Sequence, residues 1–256
     1  MSDYLQDVEW SIPQAIYVFF GGLVGALITT TAVLIARGDE LDLILLAASF
    51  AGQAGGNLVV MWLLSVRRGT GSLCRDFGLA IDIGHWWGIP GGFMLQIAVV
   101  LVTAPLLQLL FPDGAPQQGI AEITEEVTSF ADGMIIVLMV GVAAPVVEEM
   151  LFRGMLLSRL VRSMSPLWAV VVQALVFGGV HLLDPSAIAA FPGLVIVGAV
   201  LGYAAIRTGS LSLPIMLHAG VNLTAVVLLI FGGQFTDWLD ELAETGAAEA
   251  LFSILG

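Results

Sequence analysis

The chain reads as an all-α, polytopic integral membrane helix bundle, with about seven transmembrane helices plus interfacial helices. Three observations predict it. The 256 residues are 58% hydrophobic and only 11% charged, where a soluble domain carries about 25% charged residues. Seven apolar stretches approach the roughly 20 residues that a membrane crossing needs. The basic residues also collect in alternate loops, the pattern that orients such helices.

The spans fall near Ile12–Ala36, Leu43–Val66, Ile89–Phe111, Gly133–Leu157, Leu167–Leu183, Ala187–Ile206 and Leu213–Gly232. The fifth is visibly short. Arg67, Arg68 and Arg75 follow span two, Arg153, Arg159 and Arg162 lie at or after the end of span four, and Arg207 follows span six. These alternate loops hold seven of the eight basic residues, and the chain has no lysine. They are expected to be cytoplasmic. Arg37 dissents, beside Asp39, Glu40 and Asp42. The opposite loops are acidic: Asp113, Glu122, Glu125, Glu126 and Asp132 precede span four, and Asp237, Asp240, Glu241, Glu244 and Glu249 fill the tail. The expected topology is a multi-pass cell-membrane protein, N-terminus cytoplasmic and C-terminus extracytoplasmic.

Smaller features complete the frame. Ile120, Ile123, Val127 and Phe130 recur at helical spacing, which predicts a short helix on the outer surface. Ile81–Gly88, with Trp86 and Trp87, reads as an inner interfacial anchor, and His85 belongs to it. Gly21/Gly25, Gly52/Gly56 and Gly198/Gly202 have the small-xxx-small spacing that lets helices approach closely, and Gln53 and Asn57 suit interhelical hydrogen bonds. The first residues are acidic, where a cleavable signal peptide needs a basic leader, so the first span is expected to be retained. A net charge of −13 leaves no basic face for phosphates and argues against nucleic-acid binding. The single cysteine, Cys74, excludes an internal disulfide and any multi-cysteine metal site.

The chemistry lies in ionisable groups at membrane depth. Each costs about 2.5–3.5 kcal/mol on insertion scales and is rarely left without a task. In Ala144-Pro-Val-Val-Glu-Glu-Met-Leu-Phe-Arg-Gly154, Glu149 and Arg153 are four apart with the acid first, the better orientation for an ion pair. Glu148 is turned about 100° away and cannot use that partner as well. It is a candidate general base. Pro145 loosens the helix and can bare backbone groups to a cavity. In Phe177-Gly-Gly-Val-His181, Phe177 and His181 share a face, with Gly178 and Gly179 leaving room. His218-Ala-Gly-Val-Asn222 repeats the spacing of four. Two carboxylates, two imidazoles, a guanidinium and an amide in consecutive apolar segments suggest an intramembrane water-activating site.

The set Glu-Glu-x-x-x-Arg, Phe-x-x-x-His and His-x-x-x-Asn, in this order and in membrane helices, resembles the CPBP or Abi family. That group includes the type II CAAX prenyl endopeptidase and bacteriocin-processing and immunity proteins. The resemblance covers about Gly133–Gly232, including the Gly-Ser-Leu-x-x-Pro-Ile lead-in to His218. The sequence shows no repeat, low-complexity tract or second domain, so a single membrane domain over 1–256 is expected, and the resemblance implies a catalytic core at 133–232 within it. It further implies that Glu148 and His181 activate the attacking water, that His218 and Asn222 hold the oxyanion, and that Glu149, Arg153 and Phe177 support the site. The expected activity is an intramembrane endopeptidase acting near the inner membrane face on a peptide or protein, membrane-associated or not. The expected site is metal-free and without cofactor. Zinc held by the His and Glu residues is the alternative, although the His-Glu-x-x-His spacing is absent. A non-catalytic immunity or scaffold protein is the rival reading. A proton-relaying transporter is disfavoured because no inverted repeat is detectable.

Overall fold

Nothing but helix and turn joins the described residues, as a chain this apolar requires in a medium that cannot hydrogen-bond its backbone. The computed structural model describes residues 8–38, 42–114 and 129–227. Helix α1 (Ile12–Arg37) starts at Ser11, whose N–H donates to the Gln14 side chain at 2.8 Å. Pro13 stands in its first turn, where a missing N–H costs nothing. Helix α2 (Leu43–Arg68) is capped by Asp42, which accepts from Leu45 N–H at 2.9 Å. Asp42 also pairs with Arg37 at 2.7 Å, so the one dissenting arginine is neutralised.

The α1–α2 crossing is a backbone-to-backbone seam. A Cβ on Gly25 would strike the Gly52 carbonyl oxygen, and one on Gly56 would strike that of Gly21. Beside the seam, Asn57 is buried against Gly22. The small-residue spacing is therefore used as expected.

A cap follows α2. It holds the short helix α3 (Leu73–Asp76) and a 3₁₀ turn, Ile83–His85, before α4 (Gly88–Leu110). Trp10 donates to the Asp76 carbonyl at 2.9 Å and stacks on Phe77 at 4.7 Å. Ser212 exchanges hydrogen bonds of 2.9 and 3.0 Å with the Asp82 backbone. Trp86 and Trp87 are 64% and 49% exposed, as an interfacial anchor needs. His85 sits beside Asp82 Oδ2 at 4.0 Å in this cap.

Helix α5 runs unbroken from Phe130 to Leu160. Two π-helical stretches, Val137–Ala143 and Met150–Leu157, flank an α-helical segment, Ala144–Glu149. Then come α6 (Pro166–His181), a 3₁₀ turn (Pro185–Ala189), α7 (Phe191–Thr208) and α8 (Ser212–Val227). Gly209, in the left-handed region at φ 67°, ends α7 and permits the tight turn into α8.

Among the described residues, five helices are long and apolar enough to cross a membrane: α1, α2, α5, α7 and the stretch Ile83–Leu110. The other two expected spans are the shorter apolar helices α6 and α8. The 120–127 part of the expected outer helix, the acidic tail at 237–249, residues 228–232 of the last span, and Asp39 and Glu40 lie outside the described residues.

One expectation is corrected. Arg153 is not a loop charge, because α5 continues to Leu160 and buries Arg153 completely. The other six arginines of that group stand at helix ends or in the short elements between spans: Arg67, Arg68, Arg75, Arg159, Arg162 and Arg207.

Candidate active site

The charged core of the site is built on α5 and closed by α8. Glu149 and Arg153 are both fully buried, and Glu149 Oε1 accepts from Arg153 at 2.7 Å. The same oxygen accepts from His218 Nδ1 at 2.8 Å. A carboxylate oxygen only accepts, so His218 carries its proton on Nδ1. Its Nε2 lies 3.7 Å from Glu148 Oε2. Arg153 also donates to the Gly198 carbonyl at 3.1 Å, which ties α7 to the pair. One buried carboxylate thus joins three helices, while its neighbour in sequence, Glu148, stays partly open.

Phe177 is the apolar hinge of this core. The Arg153 guanidinium stands 4.6 Å from its ring centroid. His181 and His218 meet the ring edge-on at 5.1 and 5.7 Å, and Phe152 does so at 5.1 Å. The spacing of four that links Phe177 to His181 also brings His181 Nδ1 to the Phe177 carbonyl at 2.8 Å. A carbonyl only accepts, so this imidazole is likewise protonated on Nδ1, and in its neutral form Nε2 is a free proton acceptor. Gly179 has open space beside it, as expected, whereas Gly178 is packed against Val195 and Phe191.

Pro145 acts through the backbone. In the first π stretch the Ala144 N–H reaches back five residues to the Met139 carbonyl. The next N–H in that register would belong to Pro145, which has none, so the Val140 carbonyl loses its helical donor. Asn222 supplies one, its Nδ2 donating to Val140 O at 2.8 Å. The second amide hydrogen of Asn222 remains for another acceptor. π-Helical turns recur at functional sites because they shift side chains and free backbone groups in this way.

These groups meet at a cavity of about 450 Å³. Glu148, His181 and Asn222 all line it, together with Gln96, Thr103 and Asp184. Of the residues singled out in the sequence, Glu149, Arg153, His218 and Phe177 form the buried layer behind it. Gln96 and Asp184 escaped sequence reasoning. Gln96 had a signal, since it is one of two amides, with Gln108, in an apolar span; Asp184 reads as the cap of a turn, accepting from Ser186 N–H at 2.9 Å. Among the described residues, no three His, Cys, Asp or Glu side chains converge as metal ligands would.

Fold and site together define a multi-pass, all-helical membrane protein with a carboxylate–imidazole cavity inside its helix bundle. Residues 130–224, which carry every one of these motif residues, match the family of the type II CAAX prenyl endopeptidase Rce1-like proteins, as the CPBP resemblance implied. The match spans 95 of the 256 residues and leaves α1 to α4 outside it. No curated protein and no solved structure matches the chain. The family supports a membrane endopeptidase of the CAAX-protease type.

Proposed function

We propose that the chain is an intramembrane glutamic endopeptidase that hydrolyses a peptide bond without a metal. The observation that carries this reading is the pair of acceptors facing one cavity: His181 Nε2, and Glu148, whose contact with His218 Nε2 at 3.7 Å is longer than a hydrogen bond. One water can donate its two protons to these two acceptors and turn an oxygen lone pair toward a substrate carbonyl. Attack then forms the new C–O bond while the acceptors take the water proton, which later passes to the leaving amine as the C–N bond breaks. The developing oxyanion needs donors. Asn222 has one amide hydrogen left, and His218, held through Nδ1 by Glu149, turns Nε2 toward Glu148 as the second group of the oxyanion pocket. Glu149 and Arg153 hold His218 in place. Support for metal independence lies in Glu149, whose Oε1 is already committed to Arg153 and His218.

Glu148→Gln is expected to leave a well-folded protein with turnover reduced about 10²–10⁴-fold, the usual worth of a general base. Asn222→Ala is expected to cost about 10²–10³-fold, the effect of deleting one oxyanion donor. Activity should survive prolonged treatment with a strong chelator. Loss on chelation and recovery with zinc would make Glu148, His181 and His218 ligands and overturn this mechanism.

The arginines at the helix ends support a cytoplasmic side for the cap and the α5–α6 turn in a cell-membrane protein. A topology reporter inserted at Gly69–Ser72 should therefore read cytoplasmic, and one fused after Gly256 extracytoplasmic. The opposite result at either site would reject this orientation.

A further inference from the structure

Helix α4 lies outside the segment that matches the family, yet it forms a wall of the active-site cavity. Its register there is fixed by close contact with α8. A Cβ on Gly92 would strike the Leu217 carbonyl, one on Gly220 would strike that of Ile89, and one on Gly88 would lie 2.7 Å from Met216 Cβ. The two helices run in the same direction, so one turn beyond Gly92 brings Gln96 level with the turn of α8 that carries Asn222. Gln96 is half-buried and faces the cavity.

The other polar side chains on this part of the wall are engaged. Thr103 donates to the Val99 carbonyl at 2.8 Å, and Asp184 accepts from Ser186 at 2.9 and 2.6 Å. Among the described residues, the Gln96 amide has no hydrogen-bond partner. A structural glutamine in a membrane helix bridges to a neighbouring helix. Gln96 instead presents two donors and an acceptor to the space that Glu148, His181 and Asn222 share. A peptide main chain offers the complement, an N–H and a C=O on successive units.

We propose that Gln96 is a substrate-binding residue whose amide holds the main chain of the peptide next to the scissile bond. This rests on the endopeptidase reading. The amide fixes the depth to which an extended segment enters, so that its carbonyl comes to lie before the water held by Glu148 and His181.

The test uses the full chain purified in detergent and a degenerate pool of internally quenched peptides, from which the best-cleaved peptide is taken. Gln96→Leu should melt at the same temperature as the parent or higher, since it removes an unpartnered amide from an apolar wall. Its kcat/KM should fall about tenfold, mostly through KM, the worth of one hydrogen bond of about 1.4 kcal/mol. Replacing the peptide bond beside the scissile one by an ester should weaken cleavage by the parent but not further weaken cleavage by Gln96→Leu. A folded Gln96→Leu with unchanged kcat/KM, losses that simply add for every ester, or an activity loss that follows a fall in melting temperature would each overturn the assignment. If the parent cuts no peptide in the pool, or Glu148→Gln cuts as well as the parent, the endopeptidase reading falls and takes this inference with it. Normal cleavage by Gln96→Leu alone, with Glu148→Gln dead, removes only the role of Gln96.

Discussion

Helices α1 and α2 and helices α5 and α8 solve the same packing problem by opposite means. In the first pair, glycines remove side chains until backbones touch, and the seam carries no charge. In the second, a carboxylate, a guanidinium and an imidazole are buried against one another and bind the helices through Glu149 Oε1. Apolar helices in lipid gain nothing by hiding apolar surface from each other, so close packing and polar bonds must hold them. Close packing of backbone on backbone leaves no room for a side chain and so offers no chemistry. The polar solution is costly to assemble and leaves behind an oriented histidine. The contrast is one of function: the glycine seam is scaffold, and the charged seam doubles as the rear wall of the cavity proposed as the active site.

The largest expected effect breaks the charged seam. Arg153→Ala takes the guanidinium from a fully buried carboxylate and leaves it His218 alone, and Glu149→Gln takes the carboxylate charge from the buried guanidinium beside Phe177. Removing one partner of a buried pair costs about 3–5 kcal/mol. Both variants should therefore unfold at markedly lower temperature in detergent and lose activity with the fold, whereas Glu148→Gln should melt like the parent. Equal melting temperatures for the Glu148 and Glu149 variants would remove the division between a reacting carboxylate and a structural one.

A smaller effect is expected from the glycine seam. Gly25→Val puts its Cβ on the Gly52 carbonyl, and backbone cannot move aside as a side chain can. Overpacking costs about 1–3 kcal/mol. Here the comparison is sharpened by the activity of the surviving folded fraction, which should match the parent. A catalytic defect in folded Gly25→Val would mean that the first pair also sets the geometry of the cavity.

How much of this was legible in the sequence follows the same division. Hydrophobicity and spacing reveal helices because membrane crossing needs length and apolarity alone, and Gly25/Gly52 declares a seam by residue size. The i,i+4 rule gives Glu149–Arg153. It cannot give the second partner, because the link from Glu149 to His218 crosses 69 residues and depends on how α8 docks. The π stretches were invisible, since no residue type demands them. Their consequence, a Val140 carbonyl capped by Asn222, was foreshadowed only by Pro145. Helix ends were the other weak point. Span four runs to Leu160 rather than Leu157, and Arg153, inside it on either count, is a buried core charge wrongly grouped with the loop arginines.

The smallest expected effect concerns the cap that ties the two regions together. Asp76 is buried beneath it and accepts from Ser65 Oγ, from Thr70 N–H at 3.0 and 2.9 Å, and from Thr70 Oγ1 at 2.8 Å. Burial alone would raise its pKa, but the hydrogen bonds from Ser65, Thr70 and Gly71 outweigh burial and hold it below the usual aspartate value of 3.8. A carboxyl depressed in the folded state contributes stability that is fully present above its unfolded pKa and is lost as pH falls through the folded one. The Asp76 contribution should thus be constant from neutral pH down to about 4 and disappear below that. Asp76→Asn keeps one acceptor oxygen and should destabilise the protein at pH 7 by about 0.5–1.5 kcal/mol, the net worth of one hydrogen bond. The gap between variant and parent should close on acidification below pH about 4. Because the Asp76 carbonyl also anchors Trp10 and Phe77 packs over Gly154, proteolysis near Thr70 should rise in the variant before catalysis declines. A gap that stays constant down to the lowest pH tolerated would mean that the depressed carboxylate contributes nothing to holding the cap.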